Sequence, residues 1–181
     1  MNALPEEPQQ QPGSKKPWLV AVAMSAIAIG SLLTKASEGV SYTAYPDPVS
    51  HSAPWTICYG HTQGVVPGMV ATQAQCDTWL TQDYAEHAAV VARCIHVPLN
   101  VNQAASLYDS VHNLGPAVVC GSTLQARANA DDYAGMCNQL PRWNKAGRRV
   151  WPGLTTRRLN AQELCLYPPI NKALIYPAAR N

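Results

Sequence analysis

The sequence predicts an α+β, mostly helical protein of two lobes, a small β-lobe and a helical lobe, with a cleft between them. Three observations predict it. Apolar residues recur at helical spacing over 72–93 and again over 101–114. The one strand-like run is short, Trp55 to Tyr59, and is followed by a Gly-His turn. The chain has 181 residues, 47% hydrophobic and 13% charged, enough for one domain with its own core and unlike a disordered chain.

The elements follow in order. Residues 1–17 are polar and rich in Pro and Gln, a disordered lead that holds Lys15 and Lys16. Residues 18–34 then run seventeen positions without a charge, marginally long enough to span a bilayer. The run is weakly hydrophobic: Ala21, Ala23, Ser25, Ala26, Ala28, Gly30, Ser31 and Thr34 are small or mildly polar. Lys15 and Lys16 orient such a segment N-in, C-out. Three readings stay open: a cleaved signal peptide with Thr34-Lys35-Ala36 as a loose cleavage site, a permanent anchor, or an anchor released uncleaved. A catalytic domain is expected over 36–167. Residues 38–71 read as a helix end, a small β-hairpin region and a loop at Pro67-Gly68.

A long helix is expected over 72–93, capped by Thr72, with Cys76, Leu80, Tyr84, Ala88 and Val91 inward. A second runs over 101–114 with Val101, Ala104, Ala105, Tyr108 and Val111 inward. Shorter helices follow over 122–129 and 131–140, the latter carrying Tyr133, Met136, Cys137 and Leu140. A last helix is expected over 155–167, and 168–181 is an extended tail.

Composition excludes some functions. Thirteen basic and eleven acidic residues give a net charge of +2, which does not suggest nucleic acid. Six cysteines, Cys58, Cys76, Cys94, Cys120, Cys137 and Cys165, lie downstream of residue 57 with none in a CxxC pair. That pattern favours disulfides in an oxidising compartment over a zinc ribbon or buried thiols, though fifteen pairings are open. No metal-ligand spacing appears and no cofactor is called for. Between Arg142 and Arg158 lie six basic residues and no acidic one. A solvated face is the ordinary reading of such a run; attraction to an anionic wall or lipid surface would be sensitive to salt.

Chemistry concentrates at Glu38, in Ser37-Glu38-Gly39-Val40. Asp47 follows nine residues later in Tyr-Pro-Asp-Pro, and Thr56 nine after that in Trp55-Thr56-Ile57-Cys58-Tyr59-Gly60-His61-Thr62. Glycoside hydrolysis needs one protonated and one ionised carboxyl group. Apolar neighbours at a helix end favour a protonated carboxyl, as around Glu38. A rigid turn open to water favours an ionised one, as at Asp47. Thr56 offers a hydroxyl to orient a water.

This set resembles the active-site region of phage-type lysozymes, glycoside hydrolases of the endolysin kind. Leu99-Asn100-x-Asn102-Gln103, Asn113-Leu114-Gly115, Arg142-Trp143-Asn144-Lys145-Ala146-Gly147 and Gly153-Leu154-x-x-Arg157-Arg158 extend the resemblance over about residues 36–167. The spacing from Asp47 to Thr56 exceeds the family's, and His51-Ser52-Ala53-Pro54 reads as the insertion. The match is to the signal-anchor-release branch, which favours the released, uncleaved anchor among the three readings. The resemblance implies a muramidase of inverting mechanism, acting on the peptidoglycan glycan strand for host lysis. Glu38 would be its general acid, and Asp47 and Thr56 would hold the water. It further implies a structural His61–Asp83 pair, an Arg157 that supports Glu38, and disulfides Cys58–Cys76, Cys94–Cys120 and Cys137–Cys165. A monomer is expected, held at the inner membrane through 18–34 and then freed to the periplasm. The alternatives are a permanently anchored periplasmic muramidase and a non-catalytic accessory protein on the same fold.

Overall fold

The computed structural model describes residues 17–46 and 54–167, with side chains from Ala21 onward. The N-terminal lead, Asp47, the inserted His51-Ser52-Ala53 and the C-terminal tail lie outside the described residues.

Helix α1 spans Pro17–Ser37, so the weakly apolar run and the three residues after it form one continuous helix. Strands β1 (Ser41–Pro46) and β2 (Trp55–Cys58) pair antiparallel, with Tyr45 opposite Thr56. The segment around Met69–Ala71 extends this lobe, Ala71 N–H donating to Tyr42 O and Ala44 N–H to Met69 O. Helix α2 (Gln73–Cys94) starts at the expected Thr72 cap, which forms a capping box with Gln75. Helix α3 (Val101–Leu114) has the same device in Asn100 and Gln103. Helices α4 (Thr123–Ala128) and α5 (Tyr133–Cys137) are short. Strands β3 (Lys145–Ala146) and β4 (Arg149–Val150) form a second hairpin, and α6 spans Pro152–Leu166.

Helix α3 is the axis of the molecule. Every residue from Asn102 to Val111 is buried, because α1, α2 and α6 all pack against it. Its expected one-sided stripe is therefore too narrow: Val101 is only half-buried, while Ser106, Asp109 and Ser110 are buried as well. Ser106 and Ser110 hydroxyls donate to carbonyls one turn back, which satisfies them inside the core. On α2, Ala88 is half-buried and Cys94 takes a place in the buried face.

Two expectations need correction. The helix expected over 131–140 is only α5 followed by a 3-10 turn at Leu140–Arg142. Asp132 is its cap rather than a member, accepting from Gly135 N–H, and Asp131 sits at φ 57°. Helix α6 begins at Pro152, three residues early, because proline at the first helical turn loses no hydrogen bond. The β3–β4 hairpin was not anticipated, two residues per strand being too few for a period.

The larger finding is where α1 sits. Ala26, Ile27, Gly30 and Thr34 face inward, and Ala26 and Thr34 are fully buried. A Cβ on Gly30 would lie 2.4 Å from Tyr84 Cε1 and 3.2 Å from Ala105 O. Only glycine allows α1 this close to α2 and α3, and Tyr84 OH donates to Gly30 O at 2.7 Å. Three of the small residues that weaken the apolar run, Ala26, Gly30 and Thr34, are thus the ones that fit it to the domain. Among the described residues no helix is long and apolar enough to cross a membrane.

The three disulfides are Cys58–Cys76, Cys94–Cys120 and Cys137–Cys165, the pairs that the resemblance implies. They tie β2 to α2, the end of α2 to the chain after α3, and α5 to α6.

Candidate active site

Glu38 stands one residue past α1, its N–H donating to Thr34 O at 2.8 Å and its side chain 28% exposed. The helix end places it where the helical body meets the β-lobe. Arg157, from α6, donates Nη1 to Glu38 Oε1. The rest of that guanidinium is fixed from behind: Nη2 donates to Asp109 Oδ1 at 2.7 Å and to Thr34 Oγ1 at 3.2 Å, and Nε to Asp109 Oδ2 at 3.3 Å. Arg157 is 8% exposed and Asp109 1%. Burial works against the charge on Arg157, but the carboxylates of Asp109 and Glu38 outweigh it and hold the group charged.

The network reaches further. Arg158 is fully buried and donates Nη2 to Asn113 Oδ1 at 3.1 Å, with Asp109 Oδ2 at 3.5 Å. Burial pushes its guanidinium down to about 10, with Asp109 opposing. Its Nε and Nη1 have no partner among the described residues. Thr34 Oγ1 also lies 2.8 Å from Tyr84 OH and donates to Asp109 Oδ1 at 3.1 Å. Burial, then the charge on Asp109, raises the Tyr84 phenol, so it stays a neutral donor. Asp109 faces both guanidiniums at this buried centre, and a buried charge is tolerated when it is paired in this way.

The β-lobe approaches from the other side. The turn after β2 has Cys58 at φ 59° and Gly60 at φ 101°. A Cβ on Gly60 would be 3.2 Å from both Glu38 Oε2 and His112 Nε2, so the turn must have glycine to reach the carboxyl. His112 Nε2 faces Tyr59 O at 2.9 Å and therefore carries a hydrogen. Its Nδ1 then accepts from His87 Nε2 at 3.1 Å. Burial first, and Glu38 second, raise the Tyr45 phenol, which stands opposite Thr56 in the β1–β2 pair.

Of the expected site residues, the structure joins Glu38 with Arg157 and places Thr56 on β2, half-buried. Asp47 lies outside the described residues. His61 Nδ1 meets both oxygens of Asp83, at 2.9 and 3.0 Å, and its ring stacks on Trp79 with centroids 5.0 Å apart. This pair braces the β-lobe against α2. Sequence reasoning missed Thr34, Tyr84 OH, Asp109 and Arg158. The signal present for Asp109 was a lone acid among the apolar positions of 101–114; a one-sided helix sets such a residue in water, and α3 is not one-sided.

The chain is similar to known proteins in sequence and in fold. The phage lysozyme family pattern matches residues 35–161. The SAR-endolysin of Enterobacteria phage P21 is 36% identical over 163 residues, covering 86% of this chain and 97% of that one. The SAR-endolysin of Pseudomonas phage phiKMV is 37% identical over 147 residues, covering 79% and 88%. Among solved structures, the muramidase domain of SpmX from Asticaccaulis excentricus superposes with a TM-score of 0.70 at 27% identity, covering 77% of this chain and 95% of that one. A P22 phage lysozyme gives 0.67 at 28%, covering 76% and 95%. With a pattern match over more than half of its length and relatives so similar from end to end, the chain belongs to the phage lysozyme family of glycoside hydrolases.

Proposed function

We propose that this protein is an endolysin that hydrolyses the β-1,4 bond between N-acetylmuramic acid and N-acetylglucosamine in peptidoglycan. It is inactive while residues 18–34 hold it in the inner membrane, N-in and C-out, and active once released to the periplasm. The carrying observation is the carboxyl of Glu38 at the junction of the two lobes, fixed by Arg157 and faced by the Gly60 turn. Glu38 gives its proton to the leaving glycosidic oxygen. Asp47 and Thr56 hold a water that attacks the anomeric carbon from the opposite face, and Asp47 takes the water's proton, so the configuration inverts. Arg157 is a positioning residue, because a guanidinium pinned by Asp109 leaves the Glu38 carboxyl one orientation.

The tethered state is supported by the weak apolar run, by Lys15 and Lys16 before it and by the SAR-endolysin names of the relatives. The three disulfides suit an oxidising compartment. In the fold, α1 is wedged against α2 and α3. A helix in a bilayer cannot at the same time supply Thr34 to Arg157, so tethering removes a part of the site.

The test uses full-length protein released from membranes, wild type and Glu38→Gln, on Gram-negative peptidoglycan with fragments read by mass spectrometry. Reducing N-acetylmuramic acid ends are expected from wild type, with Glu38→Gln slower by about 10²–10⁴-fold, the ordinary contribution of a general acid. Anhydro ends would make the enzyme a lytic transglycosylase, and equal rates would remove Glu38 from the chemistry.

A further inference from the structure

Arg157 holds one oxygen of the Glu38 carboxyl, Oε1. The other, Oε2, abuts the Gly60 backbone, 3.2 Å from where a Cβ on that residue would lie. The turn that brings Gly60 there is not one a chain adopts readily. Cys58 has φ 59°, a conformation unfavourable to a residue with a side chain and kept only where the surroundings impose it. Two constraints act near the turn itself. Ile57 and His61 exchange backbone hydrogen bonds at 2.9 and 3.0 Å, and Cys58 is bonded to Cys76 on α2. The third crosses between lobes. His112, on α3, has Nε2 2.9 Å from the carbonyl of Tyr59, the buried residue between Cys58 and Gly60. The same Nε2 is 3.2 Å from the Gly60 Cβ position. Imidazole and carboxyl thus close on a single glycine.

His112 is itself held. Its Nδ1 lies 3.1 Å from Nε2 of His87, on α2. Tyr84 stacks on the His112 ring with centroids 5.6 Å apart, and the two imidazoles meet edge to face at 5.2 Å. Burial, then His112, pushes the His87 imidazole down to about 4. Near neutral pH His87 is therefore an uncharged ring with one hydrogen to place. Placed at Nε2, that hydrogen points to His112 Nδ1, and His112 presents its own from Nε2 to Tyr59 O. The order runs from α2 through α3 to the β-lobe.

We infer that His112 is a positioning residue for hydrolysis, a role that rests on the muramidase reading above: its N–H fixes the Tyr59-Gly60 turn and so sets the β-lobe against Glu38. Thr56 stands two residues before Cys58 on β2. One hydrogen bond from α3 therefore registers the acid, on the helical body, with the hydroxyl that holds the attacking water, on the β-lobe. A general acid must lie within hydrogen-bond reach of the oxygen it protonates, and a small misplacement is costly. Without His112 the turn is still closed by the disulfide and the Ile57–His61 pair, so the lobe folds, but Gly60 loses its register with Oε2. His112 holds backbone rather than sugar, so the loss falls on kcat and leaves KM.

The test uses full-length protein released from membranes, on glycan strands solubilised from Gram-negative peptidoglycan. Wild type is compared with three variants. The amide of His112→Gln reaches the place of Nε2, that of His112→Asn only the place of Nδ1, and His112→Phe keeps the ring on Tyr84 with neither nitrogen. Rates are read well below each melting midpoint, where the folded fraction is the same. In His112→Asn and His112→Phe kcat is expected to fall about tenfold, the worth of one hydrogen bond, with KM unchanged; His112→Gln restores it. Nitrogen NMR of wild type should find the His112 hydrogen on Nε2. Equal loss in all three variants would make the ring a packing element, and an unchanged kcat in His112→Phe would leave the turn with no need of it. Either overturns the role, as does a loss carried by KM or a hydrogen found on Nδ1 alone. A wild type that releases no reducing N-acetylmuramic acid ends refutes the muramidase reading itself.

Discussion

Asp109 is the residue on which the buried network turns. It faces Arg157 and Arg158 together and accepts from Thr34, at 1% exposure. Replacing it with asparagine keeps the shape and leaves two buried guanidiniums opposite a neutral amide. The loss is expected to be about 3–5 kcal/mol, read from urea unfolding at neutral pH; less than about 1 kcal/mol would mean that the arginines find water instead. His87 gives a second expectation. Burial, then His112, pushes its imidazole down from 6.5 to about 4, with Asp109 opposing. The fold therefore prefers the neutral ring. That stabilisation is whole above pH 6.5 and is lost as the pH falls toward 4, where the unfolded chain has already bound its proton. The Tm of wild type should drop across this window, and that of His87→Gln, whose amide still donates to His112, should drop less. Parallel curves would exclude His87 as the source.

At the scale of elements, α1 carries the sharpest constraint. Leucine at Gly30 would strengthen the apolar run as a membrane segment and drive a side chain into Tyr84. The expected outcome for Gly30→Leu is a folded state weaker by about 1–3 kcal/mol and a larger fraction retained in membranes, measured by thermal melts and by fractionation. Retention without loss of stability would mean that α1 does not dock as described. Elements with a long period were legible: α2 starts at the expected Thr72 cap and α3 at the expected residue 101. The short elements were not, since five residues of α5 or two of β3 hold no period, and their form is set by Asp132 and by pairing. The Glu38–Arg157 and His61–Asp83 pairs were legible only through ordered motifs. Asp109 and Thr34 were not, because their partners arrive from elements 48 and 75 residues away.

For the whole molecule, α1 carries the expected anchor segment into the packing of the domain. Residues 17–37 form one helix, Ala26, Ile27 and Thr34 belong to the core, and Lys35 reaches Asp77 on α2 at 2.6 Å. A chain that starts at residue 36 lacks the cover that α1 lays over α3 and the hydroxyl that Arg157 uses. It is expected to be inactive on peptidoglycan, with a near-ultraviolet circular dichroism spectrum short of native packing, whereas the released full chain is active. Full activity in the truncated protein would contradict the packing of α1. For the same reason a flexible spacer inserted at 35–37 would not simply lengthen a tether; it would interrupt the last helical turn and misplace Glu38, in the released protein as in the tethered one.

The covalent cross-links have a bearing on that helix. All three join cysteines downstream of residue 57, at separations of 18, 26 and 28 residues, so each staples its own neighbourhood and none crosses to α1. The body is sewn together around a slot, and the helix that fills the slot is joined to it covalently through the chain at Gly39 and by no disulfide. Cut there, the protein becomes a receptor and its ligand: a synthetic peptide of residues 17–38, added in trans to the disulfide-bonded remainder, would bind as a peptide binds its groove and bring the acid with it.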